Sequence, residues 1–349
     1  MLSASFGFLP SGESIEAYTL TNAKGAAVQV TTYGGIVTSM LMPDRHGKFD
    51  DVVLGFATLD GYLAGHPYFG AITGRIAGRV EAGRINVQDR TYALRCNDGT
   101  NHLHGGHVGL DKRVWRARWL APTDGSASLQ LTYRSPDGEE GYPGNVDIAV
   151  TYTLTAANAF IVATEARADR VTPLCLAHHS YFNLAGEGSG SVADHELEIA
   201  AEITVPTDHI QSLSGRREPV AGRASDFTRA RRLGDALPQL TGAHGDFYFL
   251  RGADEPPPSP PRRVARVVEP HSGRVLEVFT DESCLQFYTG AALDNTLTGK
   301  SGRKYGPHAG LCLECQGYPN GTVQPGFGDI LVKPDQPQRR TTVYAFSTI

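Results

Sequence analysis

The sequence predicts an all-β protein, a large antiparallel β-sandwich with few, short helices. Three observations carry this expectation: apolar residues alternate with period two in many short runs, glycine and proline punctuate those runs, and no three-turn helix can be placed without one of them interrupting it. Gly and Pro number 40 and 21 among 349 residues, against a background near 12% for the two together.

Taken in order, the strand-like runs are AAVQVTTY, SLQLTYRS, VDIAVTYTL, AFIVATEARA, HELEIAAEI, RVLEVFTD, CLQFYTG and TTVYAF. The clearest is VDIAVTYTL, where Val146, Ile148, Val150, Tyr152 and Leu154 share one face. It is followed by Thr155 to Asn158, a connection of hairpin length, and then by AFIVATEARA. Short helical pieces fit only around Thr58 to Leu63 and Thr228 to Leu237. The run DEPPPSPP from Asp254 to Pro261 reads as an exposed loop rather than a hinge, because strand-like sequence resumes on both sides. No internal repeat is found, and residues 1–349 are expected to form a single domain.

For 37.5 kDa, area scaling leaves roughly 14,000 Å² exposed of about 54,000 Å² in the unfolded chain, so no disulfide or metal staple is required. The net charge of -5 offers no basic field for polyanions, and no run approaches the ~18 apolar residues that would span a bilayer. Neither nucleic acid nor a membrane is an expected partner. The start MLSASFGFLPSGES lacks a basic segment followed by an apolar core, so a cytoplasmic address is expected with Met1 as the start. Five cysteines, an odd number, fit reduced thiols, and the Cys312-x-x-Cys315 pair lies in a strand-like run that suits buried thiols better than a zinc or redox site. Monomer and homodimer are both compatible with the sequence.

Histidines and isolated charges are the candidates for chemistry. His102, His104 and His107 crowd into NHLHGGH, and His178 and His179 are adjacent in LAHHSYFNL. A metal site is conceivable from the H-x-H spacing with Glu314, but Gly105 and Gly106 follow at once and no carboxylate stands nearby at ligand spacing. The expectation is therefore no metal and no cofactor, with His102 or His107 satisfying loop backbone groups. Arg75, Asp246 and Glu314 are charges inside apolar or glycine-rich runs, where burial is costly. Singly each reads as a structural ion pair; together with histidines they would supply an acid, a base and hydroxyl-binding groups, a set that suits a sugar.

In this order the motifs resemble the aldose 1-epimerase (galactose mutarotase) family. The landmarks run from Tyr33-Gly34-Gly35 through the Arg75 segment, NHLHGG, GLDKRVW, DGEEGYPG, HSYFNL, the Pro206-Thr207-Asp208 triplet, Asp246, LQFYTG and ECQGYPN. The resemblance implies a β-sandwich and the interconversion of α and β anomers of free hexoses. It implies Glu314 as general base, His179 as general acid, and Arg75, His104, Tyr181, Asp246 and Gln286 as substrate-binding residues, with His178 merely flanking. It also marks departures: Gly74 stands where Asn commonly precedes the arginine, Phe247-Tyr248-Phe249 follows Asp246 where His-Asn-Phe is common, and His178 replaces a common Asn. The rival readings are a hexose-phosphate epimerase, which needs extra cations, a glycoside hydrolase using Asp246 and Glu314, and a sugar-binding module without catalysis.

Overall fold

The alternation in VDIAVTYTL becomes a strand, Val146–Leu154, whose five inward residues are almost wholly buried. It pairs on one side with Ala127–Ser135 and on the other with Ala159–Ala168, in register from Val146 opposite Ala168 to Leu154 opposite Phe160. Asn158 closes the hairpin at φ 62°, a left-handed conformation that Asn tolerates better than most residues. The computed structural model describes residues 2–208, 210–240, 245–255 and 257–349.

These strands belong to a nine-stranded antiparallel sheet that continues through Gln338–Thr348, Arg274–Thr280, Arg262–Val268 and Glu196–Ile199. A five-stranded sheet from Leu2–Phe8 to Phe49–Asp51 packs its Val28, Val30 and Met40 into the same core cluster as Leu131 and Val150. The folded surface is 14156 Å², close to the value that chain length predicts.

A second five-stranded sheet positions the site. Its order is Glu218–Pro219, Ile203–Thr204, Asp246–Phe249, Cys284–Tyr288 and Cys312–Gln316. Period two divides its side chains: Tyr248, Leu285, Phe287, Leu313 and Cys315 enter the main core, whereas Phe247, Gln286, Glu314 and Gln316 line a cleft on the other face.

Two expectations need adjustment. The run HELEIAAEI splits between sheets as Glu196–Ile199 and Ile203–Thr204. The helix expected at Thr228 to Leu237 is limited to Leu233–Ala236 and a 3₁₀ turn at Leu237–Gln239, because Arg231–Arg232 pairs with Glu196 and Leu197 instead. The helix near Thr58 forms at Leu59–Leu63. Apart from Pro256, outside the described residues, the proline-rich stretch is a loop crossing from the site sheet at Asp246–Phe249 to the nine-stranded sheet at Arg262–Val268. Arg217 anchors its start, pairing with Asp254 at 2.8 Å and lying 3.7 Å over the Phe249 ring.

Candidate active site

The cleft has a volume of about 220 Å³, below the roughly 300 Å³ at which drug-sized pockets begin. Glu314 enters it from the Cys312–Gln316 strand, opposite Gln286 in the ladder. The Glu314 carboxyl is buried, and its Oε2 has no hydrogen-bond partner. An orphaned buried carboxylate atom is costly in a merely structural position. Burial pushes its pKa up to about 8, opposed only in part by Arg79.

His179 lies across from it, with Nε2 3.5 Å from Glu314 Oε2. Its backbone N–H donates to Ala71 and its carbonyl accepts from Gly70, both at 2.9 Å. The ring stacks on Tyr181 at 5.1 Å and on Tyr68 at 5.8 Å. Burial lowers its pKa to about 4. Adjacent strand residues point to opposite faces, so His178 turns instead into the core beside Tyr152, Phe160 and Tyr344.

His104 is held in one tautomer. The Gly78 N–H donates to its Nδ1 at 3.1 Å, and burial keeps the ring neutral by lowering its pKa well below 6.5. The ring proton therefore resides on Nε2, a donor suited to a hydroxyl oxygen. His104, His179 and Glu314 do offer ligand atoms within 4.8 Å of one another. The His104 tautomer argues against a metal, because the Nδ1 lone pair is taken and Nε2 bears the proton. His102 is spent elsewhere, on the Arg95 carbonyl at 2.7 Å and the Tyr142 hydroxyl at 2.6 Å. His107 likewise meets the Cys96 carbonyl at 3.0 Å.

Tyr181 and Gln286 line the cleft as expected from the sequence, but Arg75 and Asp246 do not. Arg75 donates to Ser135 Oγ at 2.7 Å and to the carbonyls of Pro143, Ser135, Pro136 and Gly144 at 2.8–3.0 Å. Its guanidinium organises the DGEEGYPG turn and has no donor left for a sugar. The segment ITGRIAGRV carries Gly-Arg twice, and it is the second, Gly78-Arg79, that reaches the cleft. Arg79 pairs there with Asp98, Nε to Oδ2, at 2.6 Å. Gly74 is likewise away from the cleft, and a Cβ on it would lie 2.5 Å from Leu176 Cδ2. A missing hydroxyl contact thus does not explain that glycine; close packing does.

Asp246 is not among the residues that line the cleft itself. It sits opposite Phe287, a core residue, while Phe247 sits opposite Gln286 and faces the cleft. Asp246 lines a neighbouring cavity of about 300 Å³ that shares Thr207, Gly245 and Phe247 with the cleft and that Arg223 also lines, and burial raises its pKa to about 6. Besides Arg79, the cleft contains Tyr68, Asp98 and Tyr288, which the sequence reading did not single out. The repeated Gly-Arg was the available signal for Arg79; Tyr68 gave none, since its φ of 61° is set by the fold. A larger trough of about 970 Å³ lies over the nine-stranded sheet, but its Arg134 and Arg167 are exposed and paired with Asp147 and Glu165.

The chain is similar to known proteins along nearly its whole length. The family model described as Aldose 1-epimerase matches residues 16–345. The chain is 42% identical to human galactose mutarotase over 347 residues, covering 99% of this chain and 98% of that one. It is 30% identical over 358 residues to an Escherichia coli aldose 1-epimerase, with 99% of each chain covered. Among solved structures, a GalM/aldose epimerase homologue from C. elegans superposes with TM-score 0.86 at 27% identity, covering 95% of this chain and 99% of that one. A galactose 1-epimerase from Lactobacillus acidophilus gives TM-score 0.84 at 28% identity, covering 99% and 98%. With similarity running along nearly its whole length and a cleft that pairs a buried carboxylate with a histidine, the chain belongs to the aldose 1-epimerase family.

Proposed function

We propose that Glu314 and His179 are the base and acid with which this isomerase interconverts the α and β anomers of free hexoses. The observation that carries the assignment is the unpartnered Glu314 Oε2, 3.5 Å from His179 Nε2, in a cleft of monosaccharide scale. As carboxylate, Glu314 removes the proton of the anomeric hydroxyl. His179, as imidazolium, protonates the ring oxygen as the bond from that oxygen to the anomeric carbon breaks. The resulting aldehyde rotates by about half a turn and the ring closes on its other face, with each proton retracing its path. No redox step or phosphate transfer is needed. Arg79 and the Nε2–H of His104 are placed to donate to hydroxyls, Gln286 to hold another, and Tyr181 to pack the sugar face.

The pair needs one shared proton. Between the two pKa values that proton rests on Glu314, and its shift across the 3.5 Å to His179 gives the carboxylate and imidazolium that react. Below about 4 both groups are protonated and no base remains; above about 8 both have lost their protons and no acid remains. Polarimetry on freshly dissolved α-glucose and α-galactose should therefore give a bell-shaped rate profile between these limits, unchanged after dialysis against a chelator. A rate that keeps rising above pH 9, or one restored only by a divalent ion, would contradict the assignment. Among described residues of the cleft wall, Arg79 is the only Arg or Lys, and it is already paired with Asp98. This favours free over phosphorylated sugars. The proposed cytoplasmic setting is supported by five free thiols, which persist in reducing compartments. A monomer or homodimer suffices, since the cleft is built from one chain.

A further inference from the structure

We propose that Cys312 is a positioning residue: its thiol sulfur accepts the Nδ1–H of His179 and so keeps Nε2 as the nitrogen that exchanges protons with the sugar. The proposal rests on His179 being the general acid. Cys312 Sγ lies 3.6 Å from His179 Nδ1, within reach of a sulfur hydrogen bond, and both residues are buried. Cys312, Glu314 and Gln316 alternate onto one side of the Cys312–Gln316 strand. A single strand therefore sets the base and also orients the acid.

The ring needs such a partner. Tyr68 and Tyr181 stack on it at interplanar angles of 24° and 19°, which fixes its plane but not its sense. A half-turn about the Cβ–Cγ bond preserves the plane and moves both nitrogens. Only a contact at Nδ1 and another at Nε2 distinguish the two orientations, and the structure has both, to Cys312 and to Glu314.

The chemistry also favours sulfur over a carboxylate. When the imidazolium gives its Nε2 proton to the ring oxygen, the N–H electron pair stays on Nε2 and the proton on Nδ1 remains in place. The product is the neutral Nδ1–H tautomer, whose Nε2 lone pair recovers the proton on ring closure. A sugar ring oxygen is a poor base, so its acid must release the proton readily. A thiol sulfur is a weak acceptor that orients Nδ1–H without stabilising the cation, whereas a carboxylate there would hold the ring protonated.

The test uses protein labelled with ¹⁵N-histidine. Two-bond ¹H–¹⁵N spectra at about pH 9, where the ring is neutral, should give a protonated Nδ1 and a bare Nε2 for His179, with His179→Asn used for assignment. Cys312→Ala should disturb that tautomer and lower kcat about two- to tenfold at unchanged KM, the worth of one neutral hydrogen bond. Cys312→Ser should recover most of both. A bare Nδ1 in the wild-type protein would overturn the proposal, as would wild-type tautomer and kcat in Cys312→Ala. If Cys312→Ala fails to fold, the wild-type spectrum decides. Wild-type turnover in His179→Asn would instead sink the assignment of the acid itself, an outcome the tautomer spectrum does not mimic.

Discussion

In the proposed mechanism Glu314 couples function to stability in one side chain. Its native pKa of about 8 lies above the ordinary 4.5, so the folded protein binds this proton more tightly than the unfolded chain does. The sign follows: between those values the native state holds more protons, and stability falls as pH rises through the window. Glu314→Gln removes the penalty, so it should lower turnover on the order of 10²-fold or more yet unfold at higher temperature than wild type above pH 8. Near pH 4 the two should melt together. The gain should be on the order of a few kcal/mol, less than the full shift because His179 shares the charge. Thermal melts of both proteins at the two pH values check this, and a variant less stable than wild type at pH 9 would contradict it. That His179 and Glu314 meet in one cleft was suggested by their motifs, but their pKa values were not readable there. Those arise from burial, and the residues against the His179 ring, Tyr68, Tyr181 and Cys312, are far apart in the chain.

At the scale of elements, the two arginines of ITGRIAGRV do different jobs four residues apart. Arg75 braces a turn through backbone carbonyls, and Arg79 reaches the cleft. Arg75→Ala would leave several buried carbonyls unpaired and should cost about 3 kcal/mol or more of stability. Arg79→Ala should fold normally and raise KM. Denaturant melts and polarimetry on both variants separate the roles; loss of sugar affinity with intact stability in Arg75→Ala would reverse them. Which arginine reaches the cleft was not readable, because both follow glycine and both precede an apolar residue. The motif position of Asp246 suggested the cleft, and Asp246 lies beside it, in a cavity that shares Phe247 with the cleft. By contrast, the strand Val146–Leu154 and its hairpin were plain in the sequence, since a half-buried antiparallel strand imprints its period on its residues.

For the whole molecule, the main core cluster draws on residues from Tyr18 to Phe346 and joins all three large sheets. Residues 1–349 are therefore proposed to act as one cooperative unit, and denaturation followed by fluorescence and by circular dichroism should give a single coincident transition. Two separated transitions would mean independent domains. The fold class was legible because period two and turn residues recur along the entire chain, whereas the crossing of the proline-rich loop between sheets was not, since composition gives no pairing partner. The most direct measurement of the central claim is magnetisation exchange between the anomeric protons of α- and β-glucose at equilibrium, with catalytic protein present. Wild type should drive exchange in proportion to its concentration, and Glu314→Gln and His179→Asn should each lower the rate on the order of 10²-fold or more while still folding. Exchange at the wild-type rate in a folded Glu314→Gln protein would contradict the account.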